Sequence, residues 1–236
     1  MDILTPAALL PPYEAERLRS LHHYNLQATP ADGIFHSLVA LAAHAFAQPM
    51  AFLALVEEHE VSFPVQHGLG AMPPLPRAHA LCSSAVLCPH AVAYENIPTA
   101  AQTGPDAPAI RAAVALGLGF YAAAPLRMPD GQPIGVLCLA GPEPRAFQAA
   151  EETALESLAD VTSLALAVHH LCRSTPELGP VQWANLCDRL QHDVDTLEEQ
   201  LAELRHKHAP AGAAVPDEVL NALTQGLQAL HLELLD

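Results

Sequence analysis

The stretch that decides the fold runs from Phe120 to Ala140 and reads FYAAAPLRMPDGQPIGVLCLA. Two apolar segments, Phe120 to Met128 and Pro133 to Ala140, flank the tripeptide Pro129-Asp130-Gly131. Proline presets a negative φ angle and glycine accepts a positive one, so this tripeptide is typical of a tight turn. We therefore predict a β-hairpin of two antiparallel strands here.

The chain before this hairpin predicts more strands and helices. Met50 to Val56 is a continuous apolar run of strand length, and His59 to Gln66 is predicted as its hairpin partner. Residues 13–26 have the spacing of an amphipathic helix, and Thr29-Pro30-Ala31-Asp32 is a start signal for a second helix that stops at Pro49. Weaker signals predict a helix at Ser83 to Leu87, a strand at Val92 to Tyr94, a helix at Ala109 to Leu116, and loops over 68–78 and 97–108.

A long apolar-sided segment, Pro144 to Cys172, follows the hairpin and predicts a helix. The predicted order is helix, helix, two strands, an irregular crossover, two strands and a helix. This order favours an α+β domain with an antiparallel sheet. We assign the domain to residues 1–172, with its core at about 13–172.

The character of the chain changes after Cys172. Two prolines and a glycine predict a linker over residues 173–182, and two later stretches, 183–205 and 220–234, place apolar residues three or four positions apart. We predict a helical hairpin or coiled coil over 183–236. Each of these stretches would form a row of apolar side chains along one side of its helix, which we call a leucine seam. Because burying one leucine contributes about 2 kcal/mol, we expect two copies of the chain to bury their leucine seams against each other in a parallel homodimer. The alternative is that both helices pack on their own domain.

The charge balance excludes several classes of function. The chain has 26 acidic and 10 basic residues, a formal net charge of −16, so nucleic-acid binding is not expected. No apolar run reaches the roughly 18 residues of a membrane span, and the N-terminus lacks the layout of a signal peptide. Its five cysteines do not form a disulfide framework. We therefore expect a cytoplasmic protein.

A set of short motifs follows one another in a fixed order across residues 13–172. They are Glu14-x-x-Arg17-Leu18-x-x-Leu21, Phe35-x-x-Leu38, Pro49-Met50-Ala51, Pro76-Arg77, Cys82-Ser83-x-Ala85, Phe120-Tyr121-Ala122-x-Ala124-Pro125-Leu126, Ile134-Gly135-Val136-Leu137-Cys138 and Pro144-Arg145-x-Phe147. Together they resemble a GAF domain of bacterial sensory proteins. The resemblance implies a GAF-like antiparallel sheet of five or six strands with helices on one side, here with a C-terminal helical or coiled-coil extension.

The resemblance also implies a small-molecule pocket on the other side of the sheet. We expect it between the sheet and residues 79–112, with Phe63, Cys82, Tyr94 and Tyr121 as ligand-binding residues. Ala122, Ala123 and Ala124 are small for mid-strand positions and predict either a cavity or a close helix. The identity of any ligand or cofactor stays open. The lysine of the cyclic-nucleotide signature is missing, because Lys207 is the only lysine of the chain.

We therefore predict a non-enzymatic sensory or regulatory protein that dimerises and relays a signal to a partner protein. The alternative is an enzyme, a free methionine-R-sulfoxide reductase that uses Cys82 and Cys88. Two further hypotheses are weaker. A zinc site would use Cys82, Cys88, His90 and His79, and a bilin would attach to Cys88, although Pro89 separates it from His90.

Several histidines on predicted helices are also candidates for chemistry. His192-Asp193 is similar to the phosphoacceptor of sensor kinases, but we favour the interpretation that this is an exposed histidine on a coiled coil. His22-His23 and His169-His170, together with Cys172, lie on the two terminal helices of the predicted domain. A pH-sensitive or metal-sensitive pair is one interpretation of these residues, and solvated histidines are the default interpretation.

Overall fold

Six strands form one antiparallel sheet in the computed structural model, which describes residues 9–24, 33–70, 72–100, 103–177, 179–208 and 214–235. The strands are β1 (Met50–Val56), β2 (Glu60–His67), β3 (Leu75–Pro76), β4 (Val92–Tyr94), β5 (Phe120–Arg127) and β6 (Pro133–Gly141). They lie in the order β3-β2-β1-β6-β5-β4, and neighbouring strands are antiparallel. The helices are α1 (Glu14–Tyr24), α2 (Gly33–Ala45), α3 (Cys82–Ala85), α4 (Ala107–Ala115), α5 (Ala149–Arg173), α6 (Gly179–His208) and α7 (Asp217–Leu235).

The hairpin predicted at residues 120–140 is the β5–β6 pair. Gly131 has a φ angle of 81° and donates its N–H to the Met128 carbonyl oxygen over 2.8 Å. Glycine adopts this left-handed conformation without the steric cost of a Cβ atom. The Asp130 carboxylate accepts a hydrogen bond from the Gln132 N–H at 3.0 Å and closes the turn. The predicted α+β fold class with an antiparallel sheet is confirmed.

Side chains alternate between the two faces of the sheet along β5 and β6. On one face, Ala122, Ala124 and Leu137 join the larger apolar core. On the other face, Tyr121 and Cys138 join a second, smaller core. Because both faces are covered, both strands are buried along almost their whole length and their sequences are nearly continuous apolar runs.

Helices α2 and α5 pack on the face of the sheet with the larger core, and α6 and α7 pack against these two helices. Phe35 of α2 stacks on Trp183 of α6, with the ring centroids 6.0 Å apart. Apolar side chains from all four helices meet between them, namely Ile34, Leu38, Val161, Ala165, Leu190, Val194, Leu230 and Leu234. We call this arrangement the four-helix layer.

The leucine seams of the last two helices are therefore covered within one chain. Leu190 and Val194 of α6 and Leu223 and Leu227 of α7 are each at most 2% exposed. Their partners are α2 and α5 as well as each other. The coiled-coil extension is not confirmed, and the seams no longer support the homodimer, which stays a prediction.

Several element bounds differ from the sequence predictions. Helix α6 begins at Gly179 instead of residue 183, since Pro180 fits the first turn of a helix. Helix α5 begins at Ala149 instead of Pro144, because Gln148 and Glu151 form a capping box there. Strand β3 lies inside the predicted loop over 68–78. The predicted helix start at residues 29–32 lies outside the described residues.

None of the described helices combines the length and the apolar composition that crossing a bilayer requires. The longest of them, α6, carries acidic residues such as Glu199 and Glu203 on its exposed side. The cytoplasmic location expected from the sequence stays a prediction.

Candidate functional site

A cavity of about 440 Å³ lies on the face of the sheet opposite the four-helix layer. Phe52, Phe63 and Tyr121 contribute to it from β1, β2 and β5, and Ala109 and Ala113 from α4. The remaining lining residues come from strands β1 and β3, from the start of α3 and from the segments that connect the sheet to α3 and α4. They are Met50, Leu69, Met72, Pro73, Leu75, His79, Ala80, Leu81, Cys82, Leu116 and Leu118.

The described lining residues are almost all apolar. His79, Cys82 and Tyr121 are the titratable residues among them, and the described lining contains no Lys, Arg, Asp or Glu. A charged ligand would lose its hydration here and would find no Lys, Arg, Asp or Glu side chain in the described lining to compensate for that loss. The cavity is therefore suited to a small, uncharged and mainly apolar molecule.

The structure places three of the four predicted ligand-binding residues, Phe63, Cys82 and Tyr121, in the lining of this cavity. Tyr94 does not line it. The Tyr94 hydroxyl instead donates a hydrogen bond to Asp106 at 2.8 Å, just before α4 begins. Burial, together with this hydrogen bond, raises the pKa of Tyr94 to about 12.

The three small residues of β5 do not form the cavity either. Ala122 and Ala124 face the four-helix layer, where α5 packs on β5. Ala123 faces the second core but does not line the cavity. The sequence predicts that these small side chains either leave a cavity or let a helix approach closely. The structure has the close helix.

A second cysteine lies directly behind Cys82 at the floor of the cavity. The Cys82 and Cys138 sulfur atoms are 3.9 Å apart, and the Tyr121 hydroxyl lies 3.3 Å from each of them. Cys82 and Tyr121 line the cavity, whereas Cys138 is fully buried on β6 and does not. The sequence analysis missed Cys138 as a site residue, although the β5–β6 register pairs it with Ala123 on the same face as Tyr121.

The two thiols have different acidities. The hydrogen bond with Cys138, aided by Tyr121 and opposed by burial, lowers the pKa of Cys82. Burial, followed by the interaction with Cys82, raises the pKa of Cys138 well above its usual value. Burial also raises the pKa of Tyr121, so its hydroxyl remains a hydrogen-bond donor. The first thiolate of the pair therefore forms on Cys82.

Cys88 lies apart from this pair. Its sulfur atom donates a hydrogen bond to the Ser84 carbonyl oxygen at 3.5 Å, and burial raises its pKa. The structure thus places Cys138, and not Cys88, against Cys82. His90 contacts Glu156 at 3.4 Å and is mostly exposed. In the described part of the chain, no group of three or more His, Cys, Asp and Glu side chains is arranged to hold a metal ion.

Ion pairs fix the turn that leads into the cavity wall. Arg17 and Arg77 are fully buried and share the carboxylate of Glu14. Arg77 also donates to the Glu57 carbonyl oxygen at 3.1 Å, and its own carbonyl oxygen accepts from the Ser83 hydroxyl at 2.6 Å. Burial opposes ionisation of Glu14, but the hydrogen bonds from both arginines outweigh it and lower its pKa. We call Glu14, Arg17 and Arg77 the arginine cluster.

The histidines of the terminal helices make ring contacts across α1, α5 and α6. The ring centroids of His23 and His170 are 4.8 Å apart, and those of His169 and Trp183 are 4.9 Å apart. His22 instead contacts Glu57 at 3.3 Å, and His192 is exposed on α6. The terminal helices do pack together, as the prediction of a histidine pair requires.

A sheet with a four-helix layer on one face and an apolar cavity on the other defines an α+β class of domain. Within this class, a family model described as GAF domain matches residues 28–167, which is more than half of the chain. The chain therefore belongs to the GAF domain family, and the resemblance found in its sequence is confirmed.

Other similar proteins include enzymes and sensors. A cyclic di-GMP phosphodiesterase from Pseudomonas aeruginosa is 29% identical over 192 residues, and the match covers 78% of this chain and 31% of the relative. The chain thus spans less than a third of that relative's length.

Two solved structures resemble the chain as follows. The blue-light absorbing form of the PixJ GAF domain from Thermosynechococcus elongatus is 20% identical, and the match covers 68% of this chain and 92% of that one, with a TM-score of 0.49. The type II free methionine-R-sulfoxide reductase from Thermoplasma acidophilum is 17% identical, with coverage of 60% and 94% and a TM-score of 0.47.

Proposed function

We propose that this chain is a sensory or regulatory GAF module that binds a small, uncharged and mainly apolar molecule in the cavity over its sheet. The observation that carries the proposal is the described lining, which is apolar around a space of about 440 Å³. Pockets of this size and composition are typical of small-molecule sites. The cavity is poorly suited to a cyclic nucleotide, because the described lining has no Lys or Arg to pair with its phosphate.

A ligand in the cavity would affect the rest of a signalling protein through the helices that line the cavity. Cys82 belongs to α3 and Ala113 to α4, and both are short helices that a ligand would contact directly. The similarity to a cyclic di-GMP phosphodiesterase supports a role in signalling. Hydrolysis of cyclic di-GMP by a partner or an attached domain is therefore the first output to test. A homodimer that relays the signal is a further part of the proposal.

The proposed function is tested by identifying the small molecules that co-purify with the protein. The purified protein is extracted with an organic solvent, and the extract is analysed by mass spectrometry. The Ala113→Phe variant fills the cavity, whereas Ala115→Phe changes an exposed residue of the same helix and is the matched control.

We expect one apolar compound to co-purify with the parent protein and with Ala115→Phe, and to be lost from Ala113→Phe. A compound retained equally by both variants would refute binding in the cavity. Thermal melting of both variants shows that each is folded.

A further inference from the structure

We propose that Cys82 and Cys138 form a redox-active dithiol, which a small apolar hydroperoxide oxidises to a disulfide after entering the cavity. The inference deepens the proposed function, because the oxidant would use the same apolar cavity as the ligand. It assigns a covalent modification site to two residues that are separated by 56 positions in the sequence.

The geometry brings the two sulfur atoms into van der Waals contact. They are 3.9 Å apart, and a disulfide bond is about 2.05 Å long, so the sulfur atoms must approach each other by about 2 Å. Cys138 lies on a strand that is paired on both sides, with β1 and with β5. Cys82 opens the four-residue helix α3. The short helix is therefore the element that moves.

Access distinguishes the two cysteines. Both side chains are buried, but Cys82, which is 3% exposed, contributes to the cavity lining, whereas Cys138, which is 0% exposed, does not. A molecule in the cavity therefore reaches the Cys82 sulfur first. The Tyr121 hydroxyl donates a hydrogen bond to the Cys82 sulfur at 3.3 Å, which stabilises a thiolate there. Cys82 is thus the attacking residue and Cys138 the resolving residue.

The reaction proceeds in two steps. The Cys82 sulfur attacks the distal oxygen of the hydroperoxide, the O–O bond breaks, and a sulfenic acid forms on Cys82. The proton of the Cys82 thiol goes to the departing alkoxide, which leaves as an alcohol. The Cys138 sulfur then attacks the Cys82 sulfur, the S–O bond breaks, and hydroxide leaves with the Cys138 proton as water. Two thiols are oxidised and one hydroperoxide is reduced to an alcohol and water.

The described cavity selects the class of hydroperoxide. It offers apolar surface and, among its described lining residues, no Lys, Arg, Asp or Glu. Apolar surface favours an organic hydroperoxide over hydrogen peroxide, because the organic group gains free energy on leaving water. The disulfide would also draw α3 toward β6 and change the cavity wall at residues 80–82, which couples oxidation to ligand binding.

The test treats the reduced full-length protein with cumene hydroperoxide or with hydrogen peroxide at equal concentration. The remaining thiols are alkylated, and the disulfide is located by peptide mass spectrometry. We expect one disulfide, between Cys82 and Cys138, that forms at least about fivefold faster with cumene hydroperoxide. A disulfide between other cysteines, or no disulfide, would overturn the proposal. Equal or faster oxidation by hydrogen peroxide would overturn the apolar substrate class.

Three variants identify the roles of the cysteines. Cys138→Ala should stop at a sulfenic acid on Cys82 that dimedone traps, and Cys82→Ala should leave Cys138 reduced. Cys88→Ser, the matched control, should still form the disulfide at the parent rate. Since Cys138 is buried, circular dichroism checks that its variant is folded, and the disulfide mapping of the parent protein decides the proposal in any case. Absence of the sulfenic acid in a folded Cys138→Ala protein would contradict the assigned order of attack.

A separate binding measurement distinguishes an error in the redox inference from an error in the proposed function. Binding of the neutral fluorophore N-phenyl-1-naphthylamine to the reduced protein reports on the cavity without any thiol chemistry. If the fluorophore binds and no Cys82–Cys138 disulfide forms, the redox inference is wrong and the proposed function stands. If the disulfide forms and the fluorophore does not bind, apolar ligand binding is wrong and the dithiol stands.

Discussion

The two faces of the sheet differ in what stabilises them. Under the four-helix layer, side chains such as Leu158 and Leu223 are fully buried and meet other apolar side chains on every side. On the opposite face, side chains such as Leu69 and Leu75 are half-buried around an open cavity. Polar contacts fix the elements around that cavity: the arginine cluster precedes α3, and the Tyr94–Asp106 hydrogen bond joins β4 to the start of α4. Apolar packing therefore stabilises the face under the four-helix layer, whereas the opposite face is packed less tightly and contains the cavity.

The largest expected effect is the difference between two leucine truncations. Leu158→Ala in the four-helix layer should lower the free energy of unfolding by about 3 kcal/mol, because it leaves an enclosed void. Leu69→Ala beside the cavity should lower it by at most about 1 kcal/mol, because that side chain is half-buried and leaves no new enclosed void. Urea unfolding of both variants measures the difference. Equal losses would show that the two faces are packed alike.

Removing the carboxylate from the arginine cluster should have the next largest effect. Glu14→Gln leaves two buried arginines without a carboxylate and should cost about 2 kcal/mol, below the cost for a wholly buried pair because Glu14 reaches solvent. The folded state lowers the pKa of Glu14, so its contribution is present above the unfolded pKa and is lost as the pH falls through the folded pKa.

Unfolding curves between pH 3 and 7 should therefore show a flatter acid limb for Glu14→Gln than for the parent protein. Glu16→Gln is the matched control, because its ion pair with Arg19 is exposed. An unchanged acid limb in Glu14→Gln would mean that the arginine cluster does not stabilise the fold.

The smallest expected effect comes from Tyr94. Tyr94→Phe removes the hydrogen bond to Asp106 and should cost about 1 kcal/mol. Because the folded-state pKa of Tyr94 is raised to about 12, its contribution is present below the unfolded value and is lost as the pH rises through 12. Absorbance of the phenolate should show a titration step near pH 12 that is missing in Tyr94→Phe. A step that persists in the variant would reject this assignment.

The sequence predicted the parts of both faces that depend on local signals. The Pro129-Asp130-Gly131 turn determined the β5–β6 hairpin, and the local sequence predicted β1 and β4 with the bounds that the structure has. The partner of Cys82 could not be predicted, since 56 residues separate it from Cys138 and the contact depends on how α3 packs on β6. The sequence also could not determine which helices cover the leucine seams of α6 and α7. Leucines at helical spacing are the same whether a second chain or α2 and α5 cover them.

The measurement that tests the central claim most directly is a titration of the reduced protein with N-phenyl-1-naphthylamine, followed by fluorescence. If the cavity face binds apolar molecules, the signal should saturate at one fluorophore per chain. Ala113→Phe should weaken binding by at least about tenfold, which corresponds to about 1.4 kcal/mol, and Ala115→Phe should leave it unchanged. No saturable binding, or equal binding to both variants, would contradict a ligand site on this face of the sheet.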